Sequence, residues 1–499
     1  MASSNSNSTP AASKTQGTAF GTAAMTAPNT PTEEIQQIFA AQKRKQLELR
    51  RSTARDRIAK LKRLKKAIES TTGELEEAIY KDFRKAPLET DLTETLLVIS
   101  EIKTAIREIR DWMAPKRVGT PMTLIGSRSE VMYEPKGTVL IIAPWNYPFQ
   151  LAIAPLVASI AAGNTNVLKP SEYTPHTSAY IRKLVESTFE RDECAVVEGD
   201  HTVSTELLKH SFDHIFFTGS TPVGKIIMEA AAKTLATVTL ELGGKSPVIV
   251  DETSDMKLAA KRIMWGKVIN GGQTCVAPDY LLVPEGKVDE FVKHAKQAIE
   301  KSYDSSENPV ASPDLCRIVS KRHYQRLTGL LHEAMEAGAK VEMGGASDAG
   351  ENYIAPTLLS GVSPDINIMQ EEIFGPLLPI LTYRKLEEAV DFVNAREKPL
   401  ALYVFSKKKK NINYVLQNTS SGGAAVNDVL IHLANHNLPF GGANHSGHGS
   451  YHGYFGFRAL SHERGVLKQS RFFSALDLLY PPYTGFSRKL ANLTKKFLT

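Results

Sequence analysis

Cysteine is scarce: Cys194, Cys275 and Cys316 are the only three in a chain of 499 residues. That excludes a disulfide framework, and with no CxxC pair it excludes a zinc ribbon or thioredoxin-type motif. A reducing, cytoplasmic setting is expected. One-sided charge is lacking too. Sixty basic against 54 acidic residues leave +6, too mild over this length to argue for a nucleic-acid partner. Residues 137–168 carry no charge at all, but Pro144, Pro148, Pro155, Asn146, Asn164 and Asn166 interrupt them. They read as core, not as a membrane span. Residues 1–32 have one charged side chain, Lys14, and little apolar bulk. Such a stretch cannot offset its ordering entropy, so it reads as a disordered extension. It has no arginine, which argues against a transit peptide and leaves organellar targeting as the alternative.

What remains is ordinary globular chain, long enough at roughly 150 residues per domain for two to four units. Glu33 to about Met113 is helical in pattern, with Ala54, Ile58, Leu61 and Ile68 on one stripe. The basic tract from Lys43 to Lys66 reads as a solvated helix face, because Glu48 and Asp56 interrupt it; an anionic surface is the alternative. Next come a buried strand at 138–142, a loop at 143–147 and a buried helix at 148–162 with proline first. Strands at 166–168, 214–217, 238–240 and 248–250 alternate with helices at 177–190, 222–234 and 256–268. A second series runs from 280 to 426. The alternation predicts an α/β fold with parallel sheets and ligand sites at the carboxyl ends of the strands.

Five stretches carry chemistry. Phe216-Phe217-Thr218-Gly219-Ser220-Thr221-Pro222-Val223-Gly224-Lys225 is a strand, a glycine turn and a helix start, with Ser220 or Thr221 placed to cap. Free N–H groups there suit a phosphate. Its GxxxxGK spacing is followed by Ile226, which has no hydroxyl for Mg²⁺, so a P-loop is rejected. Gly271-Gly272-Gln273-Thr274-Cys275 presents a thiol after a flexible stretch. A nucleophile of ordinary pKa near 8.5 needs an activating base or dipole. Glu241 ends an apolar strand beside Gly243-Gly244, where a carboxylate is expensive unless functional. A general base and a salt-bridged structural glutamate both remain open. Asn146 follows a strand end and can donate to an oxyanion or form a turn. Lys169, Ser171 and Glu172 follow another strand end and could bind ribose hydroxyls.

Asn146 within PWNYP, LKPSE at 168–172, FTGSTPVG at 217–224, LELGGKSP at 240–247, GGQTC at 271–275 and EEIFGP at 371–376 together resemble the aldehyde dehydrogenases. Order and spacing match from about Glu33 to Gln469. Ala277-Pro278-Asp279-Tyr280, Ser450-Tyr451-His452-Gly453 and Ser461-His462-Glu463-Arg464 are similar to the class 3, fatty-aldehyde-type branch. The resemblance implies Cys275 as nucleophile, Asn146 and the Cys275 N–H as oxyanion donors, and Glu241 as the base for deacylation. It implies cofactor contacts from Trp145, Lys169, Glu172, Thr218, Gly219, Ser220, Gly224, Leu242, Glu372 and Phe374, and a substrate pocket involving Tyr147 and Phe440. NAD is favoured over NADP because Glu172 would repel a 2′-phosphate, with dual use the alternative. The implied reaction is oxidation of a medium-to-long apolar aldehyde, fatty or apocarotenal. An aromatic or short-chain aldehyde is the runner-up; a cofactor-free cysteine esterase and an inactive scaffold stand further back.

The implied layout is a Rossmann-like cofactor domain (33–114 and 135–243), a catalytic domain (244–431) and a small oligomerisation element (115–134 and 432–465) giving a homodimer. Residues 466–499 form a tail. Its Phe472, Phe473, Leu476 and basic end read either as a peripheral membrane segment or as a docked arm. After PFGG the chain departs from the family with Ala443-Asn444-His445, a change expected near the substrate mouth. His445, His448 and His452 have ligand-like spacing, but thiol chemistry needs no metal and none is expected.

Overall fold

In the computed structural model, residues 28–303 and 312–498 are described; most of the proposed extension, 1–27, lies outside them. Residues 28–32, read as part of that extension, are anchored. Thr30 N–H donates to Glu198 O (2.9 Å), Asn29 bonds to Asp200, and a helix begins at Thr32.

The architecture is α/β. Five parallel strands, β1 (Thr138–Ile142), β2 (Thr165–Lys169), β3 (Cys194–Val196), β4 (His214–Thr218) and β5 (Thr237–Glu241), lie in the spatial order β5-β4-β1-β2-β3. The two-residue strand Gly447–His448 pairs antiparallel on the β5 edge. The chain leaves β1 towards β2 and β3, then returns on its other side as β4. The β1/β4 crevice is therefore a topological switch point, where doubly wound sheets place their ligands. A second sheet of seven strands, with β6 (Pro247–Val250) beside β7 (Tyr280–Pro284) at its centre, carries the thiol on the connection leading into β7. A third sheet pairs Lys116–Val118, Ser127–Pro135 and Ser461–Gln469.

The charge-free run is core, as its composition requires. It supplies β1, all of β2 except Lys169, and helix α1 (Gln150–Ala162), all thirteen residues of which are buried. The helix starts at Gln150, two residues later than the proline rule predicts. Pro148 instead belongs to the turn that carries Asn146 and Tyr147. The stripe on the preceding helix does face the core: Leu61 and Ile68 are fully buried. Its basic tract is not wholly solvated, however. Arg57 is buried and donates to Ala161 O (2.9 Å) and Ala162 O (2.7 Å), satisfying the last carbonyls of α1. Burial draws its pKa down to about 10. Helix α2 (Thr221–Thr234) follows the β4 glycine turn. Ser220 occupies its N-cap position without a side-chain hydrogen bond, and the Thr221 hydroxyl donates to His445 O (3.0 Å).

Candidate active site

Three strand ends and one loop build the site. Behind β1, Pro144–Asn146 enters the crevice; Thr218 closes β4 and Glu241 closes β5. From the other sheet, Asn270, Gly271 and Gly272 take positive φ of 56°, 62° and 74°, a left-handed run that turns the chain back just before the thiol. A Cβ on Gly272 would lie 2.3 Å from Gly375 O, so only glycine lets the thiol loop pass so close to the EEIFGP segment.

Two cavities meet at Cys275. One, of about 430 Å³, is an apolar tunnel walled by Leu88, Leu92, Tyr147, Trp265, Ile431 and Phe440. The other, of about 220 Å³, is a cleft lined by Trp145, Gly219, Ser220, His323, Glu372 and Phe374. Thr218, Glu241, Leu242 and Cys275 border both. The half-buried thiol thus faces an apolar channel and a separate crevice at once. Burial and the neighbouring Glu372 and Glu241 charges push its pKa up, against which the N–H groups of Cys275 and Val276 pull it down.

Glu241 is 2% exposed, and neither carboxylate oxygen has a hydrogen-bond partner among the described residues. No cation pairs with it there either, so the salt-bridge alternative has no support. Desolvation alone raises its pKa well above the ordinary value. Asn146 is buried beside the thiol; its Nδ2 donates to Gln273 O (3.0 Å) and its carbonyl accepts from Asn270 Nδ2 (2.9 Å). The Tyr147 hydroxyl shares a 2.7 Å hydrogen bond with that of Thr274, next to the nucleophile. Loss of water and the charge of Asp279 push Glu372 up to about 8, opposed by a hydrogen bond from the Gly244 N–H. A Cβ on Gly243 would sit 1.9 Å from Glu372 Oε2, so this glycine makes room for the carboxylate.

Of the cofactor residues read from the sequence, Trp145, Thr218, Gly219, Ser220, Leu242, Glu372 and Phe374 converge on the cleft. Trp145 packs edge-on against Phe374, with ring centroids 5.3 Å apart. Lys169 and Glu172 stand outside that lining as an ion pair (2.8 Å) at the carboxyl end of β2. Gly224 lies inside α2, where a Cβ would meet Leu242 Cδ2 at 2.7 Å; it permits close packing and lines neither cavity. The Ala443–His445 departure does not reach the tunnel. It is folded over the first turn of α2, through Thr221 on His445 O, and His445 pairs with Glu397 (2.5 Å). Nor do His445 and His448 gather with His452. Instead His436 Nδ1 lies 2.6 Å and His452 Nδ1 3.6 Å from Glu101, all three buried, while the other Glu101 oxygen accepts from Gly453 N–H (2.7 Å).

Sequence reasoning missed His323, whose ring stacks edge-on to Trp145 at 4.8 Å, Arg326 on the Glu372 and Ile373 carbonyls, and most of the tunnel wall. Leu88 and Leu92, at i, i+4 spacing, were the available sequence signal for part of the wall.

Residues 5–466 match the aldehyde dehydrogenase family. The chain is 48% identical over 426 residues to the 4,4′-diaponeurosporen-aldehyde dehydrogenase of Staphylococcus aureus, covering 85% of this chain and 91% of that protein. It is 43% identical over 462 residues to aldehyde dehydrogenase family 3 member B1 of Mus musculus, covering 92% and 96%. The solved structure of Staphylococcus aureus AldH in a substrate-bound state superimposes with a TM-score of 0.88 at 45% identity, covering 92% of this chain and 99% of that one. With a thiol at the meeting point of an apolar tunnel and a switch-point cleft, this chain belongs to the aldehyde dehydrogenase family, in its class 3 branch.

Proposed function

We propose that the protein oxidises a medium-to-long apolar aldehyde, fatty or apocarotenal, to its carboxylic acid with NAD as acceptor. One observation carries this reading: Cys275 borders the apolar tunnel and the cleft together. An aldehyde carbon and a dinucleotide can then reach the same sulfur from opposite sides.

The cleft fits a dinucleotide. It opens at the ends of β1 and β4, its Gly219 turn leads into the N-terminus of α2, and Trp145 and Phe374, packed edge-on, form an apolar wall. Glu372 and the β2-end pair of Lys169 and Glu172 would hold ribose hydroxyls, and the Glu172 carboxylate favours NAD over NADP. When bound, the oxidised nicotinamide supplies the hydride acceptor. The chain's own residues do the rest. Sulfur bonds to the carbonyl carbon as the thiol gives its proton to solvent water. The oxygen that becomes negative is held by Asn146 Nδ2 and the Cys275 N–H. Once the thiohemiacetal is oxidised to a thioester, Glu241 takes a proton from water, the water oxygen bonds to the acyl carbon, and the thiolate departs. The similarity to the 4,4′-diaponeurosporen-aldehyde dehydrogenase of Staphylococcus aureus supports the apolar substrate class.

Two assembly readings accompany this. The exposed nine-residue strand Ser461–Gln469 and its sheet are offered as a homodimer contact. Helix Gly485–Leu498 places Phe486 and Leu493 in solvent among Arg488, Lys489, Lys495 and Lys496, and is offered as a peripheral contact with anionic lipid. No described helix is long and apolar enough to cross a membrane.

The deciding experiment measures NADH formation over a homologous aldehyde series plus one apocarotenal, with Cys275→Ala as control. kcat/KM should rise with apolar length and vanish in the variant. Best turnover on short or aromatic aldehydes would sink the lipid-substrate reading while keeping the thiol. Activity surviving in the variant would sink the thiol.

A further inference from the structure

Lys85 and Glu94 form an ion pair (Nζ to Oε1 3.0 Å) in which both side chains are completely buried. Removing two charges from water is costly unless their remaining hydrogen-bonding capacity is met. Here it is met in a particular direction. Glu94 Oε2 accepts from the N–H groups of Phe149 (2.9 Å) and Gln150 (3.1 Å), the first turn of α1. That helix has no cap of its own: Phe149 at its N-cap offers no acceptor, and its first turn contains no acidic residue. The carboxylate comes from 55 residues upstream. It is turned inward by a single π-helical turn, Asp91–Thr95, inserted between the flanking α-helical stretches. Such turns concentrate at functional sites.

The pair grips the turn that carries Asn146. Lys85 Nζ lies 4.3 Å from the centroid of the Tyr147 ring, whose hydroxyl reaches Thr274. Glu94 holds the far end of the turn at Phe149 and Gln150. Asn146 sits between these anchors and the thiol loop, to which it is tied through Asn270 and Gln273. We propose that Glu94, neutralised by Lys85, is a positioning residue for the oxyanion site: by capping α1 it fixes the 145–150 turn and thereby aims the Asn146 amide. This rests on the reading of Asn146 as an oxyanion donor.

The test is a double-mutant cycle on the full-length enzyme, with NAD and the best aldehyde substrate. Glu94→Gln keeps the shape and one acceptor oxygen but drops the charge. Removing an oxyanion donor outright costs about 10²–10³ in kcat, so misaiming one should cost about tenfold to a hundredfold. Aldehyde KM should stay within about twofold, and NAD affinity, read by fluorescence quenching, should not change. In an Asn146→Ala background the Glu94→Gln loss should disappear, because the group it aims is gone. Should Glu94→Gln not fold, the Lys85→Met/Glu94→Gln pair removes both charges together and carries the same cycle. Losses that multiply with Asn146→Ala, an unchanged kcat, or an effect confined to KM would overturn the proposal. Asn146→Ala at the wild-type rate would instead remove the oxyanion reading, and this proposal with it.

Discussion

Replacing Glu241 by glutamine separates the two halves of the reaction. The carboxylate is 2% exposed and has no hydrogen bond to either oxygen, so the amide fits the same space without breaking a contact. What it removes is the ability to take a proton from water. Positioned general bases contribute about 10²–10⁴ in rate. Since no described residue hydrogen-bonds the Glu241 carboxylate, the lower half of that range applies, about 10²–10³, or about 2.7–4.1 kcal/mol of barrier. The loss should fall on thioester hydrolysis. Stopped-flow NADH absorbance should therefore show a burst of about one equivalent per site, followed by a collapsed steady state, and intact-mass spectra should show the acyl-enzyme accumulating. The pH profile follows from the direction of the shift: burial raises the Glu241 pKa above the ordinary carboxyl range, so wild-type kcat should climb as pH rises through that raised value and the variant's should not. The same group affects stability. A carboxyl whose folded pKa is raised favours the folded state at low pH, and this contribution fades as pH rises through the folded value. Glu241→Gln should gain Tm relative to wild type as the solution is made more alkaline. If the burst disappears while hydrolysis of a preformed thioester survives, Glu241 serves the thiol and not the water, and the assignment is refuted.

Gly243→Ala puts a methyl where Glu372 Oε2 now lies, 1.9 Å away, and should raise the KM for NAD about tenfold with aldehyde KM unchanged; equal effects on both substrates would argue against the cleft as the dinucleotide site. Leu92→Asp and Trp265→Ala cut into the apolar tunnel wall. At about 0.8 kcal/mol per buried methylene, they should flatten the rise of kcat/KM with chain length, by up to about fourfold per lost methylene contact, and spare acetaldehyde; uniform loss across the series would refute the tunnel. Alkylation of Cys275 by iodoacetamide at pH 7 should be slow in the free enzyme, because burial disfavours the thiolate. NAD⁺, with its positive ring, should speed it and NADH should not; matching rates would show that ring charge does not govern the thiol.

Much of the site was legible because it is local. Thr218, Gly219, Ser220 and Glu241 lie at strand ends, and a strand end announces itself where an apolar run stops at a glycine or a lone charge. The thiol likewise stood out among glycines that no strand or helix would tolerate. The tunnel was legible only in part. The family resemblance placed Tyr147 and Phe440 in a substrate pocket, but Leu88, Trp265 and Ile431 come from separated segments, and nothing in one segment records the others. The same holds for Arg57 and Glu94. Each reads locally as one more charge on an amphipathic helix, yet each is buried because an end of α1, far along the chain, lacks partners for its backbone groups. The start of α1 was misplaced for a related reason: a proline suits a first helical turn, but here the turn is held open by bonds from Glu94 and Asn270.

Two carboxylates border one thiol, and their surroundings divide their work. Glu241 faces both cavities and is unbonded, so its charge is resisted by desolvation alone and its proton is free to exchange with whatever enters the junction. Glu372 lines only the cleft, beside Asp279; the Gly244 N–H offsets part of its upward shift, while Oε1 has no partner among the described residues and could accept from a hydroxyl in the cleft. Burial raises the thiol pKa, and each carboxylate adds to that shift once it is ionised. An exposed tunnel with a permanently ionised thiolate would be alkylated or oxidised by any passing electrophile. A positive charge brought into the cleft would act in the opposite sense and favour the thiolate, which is what the alkylation experiment reads.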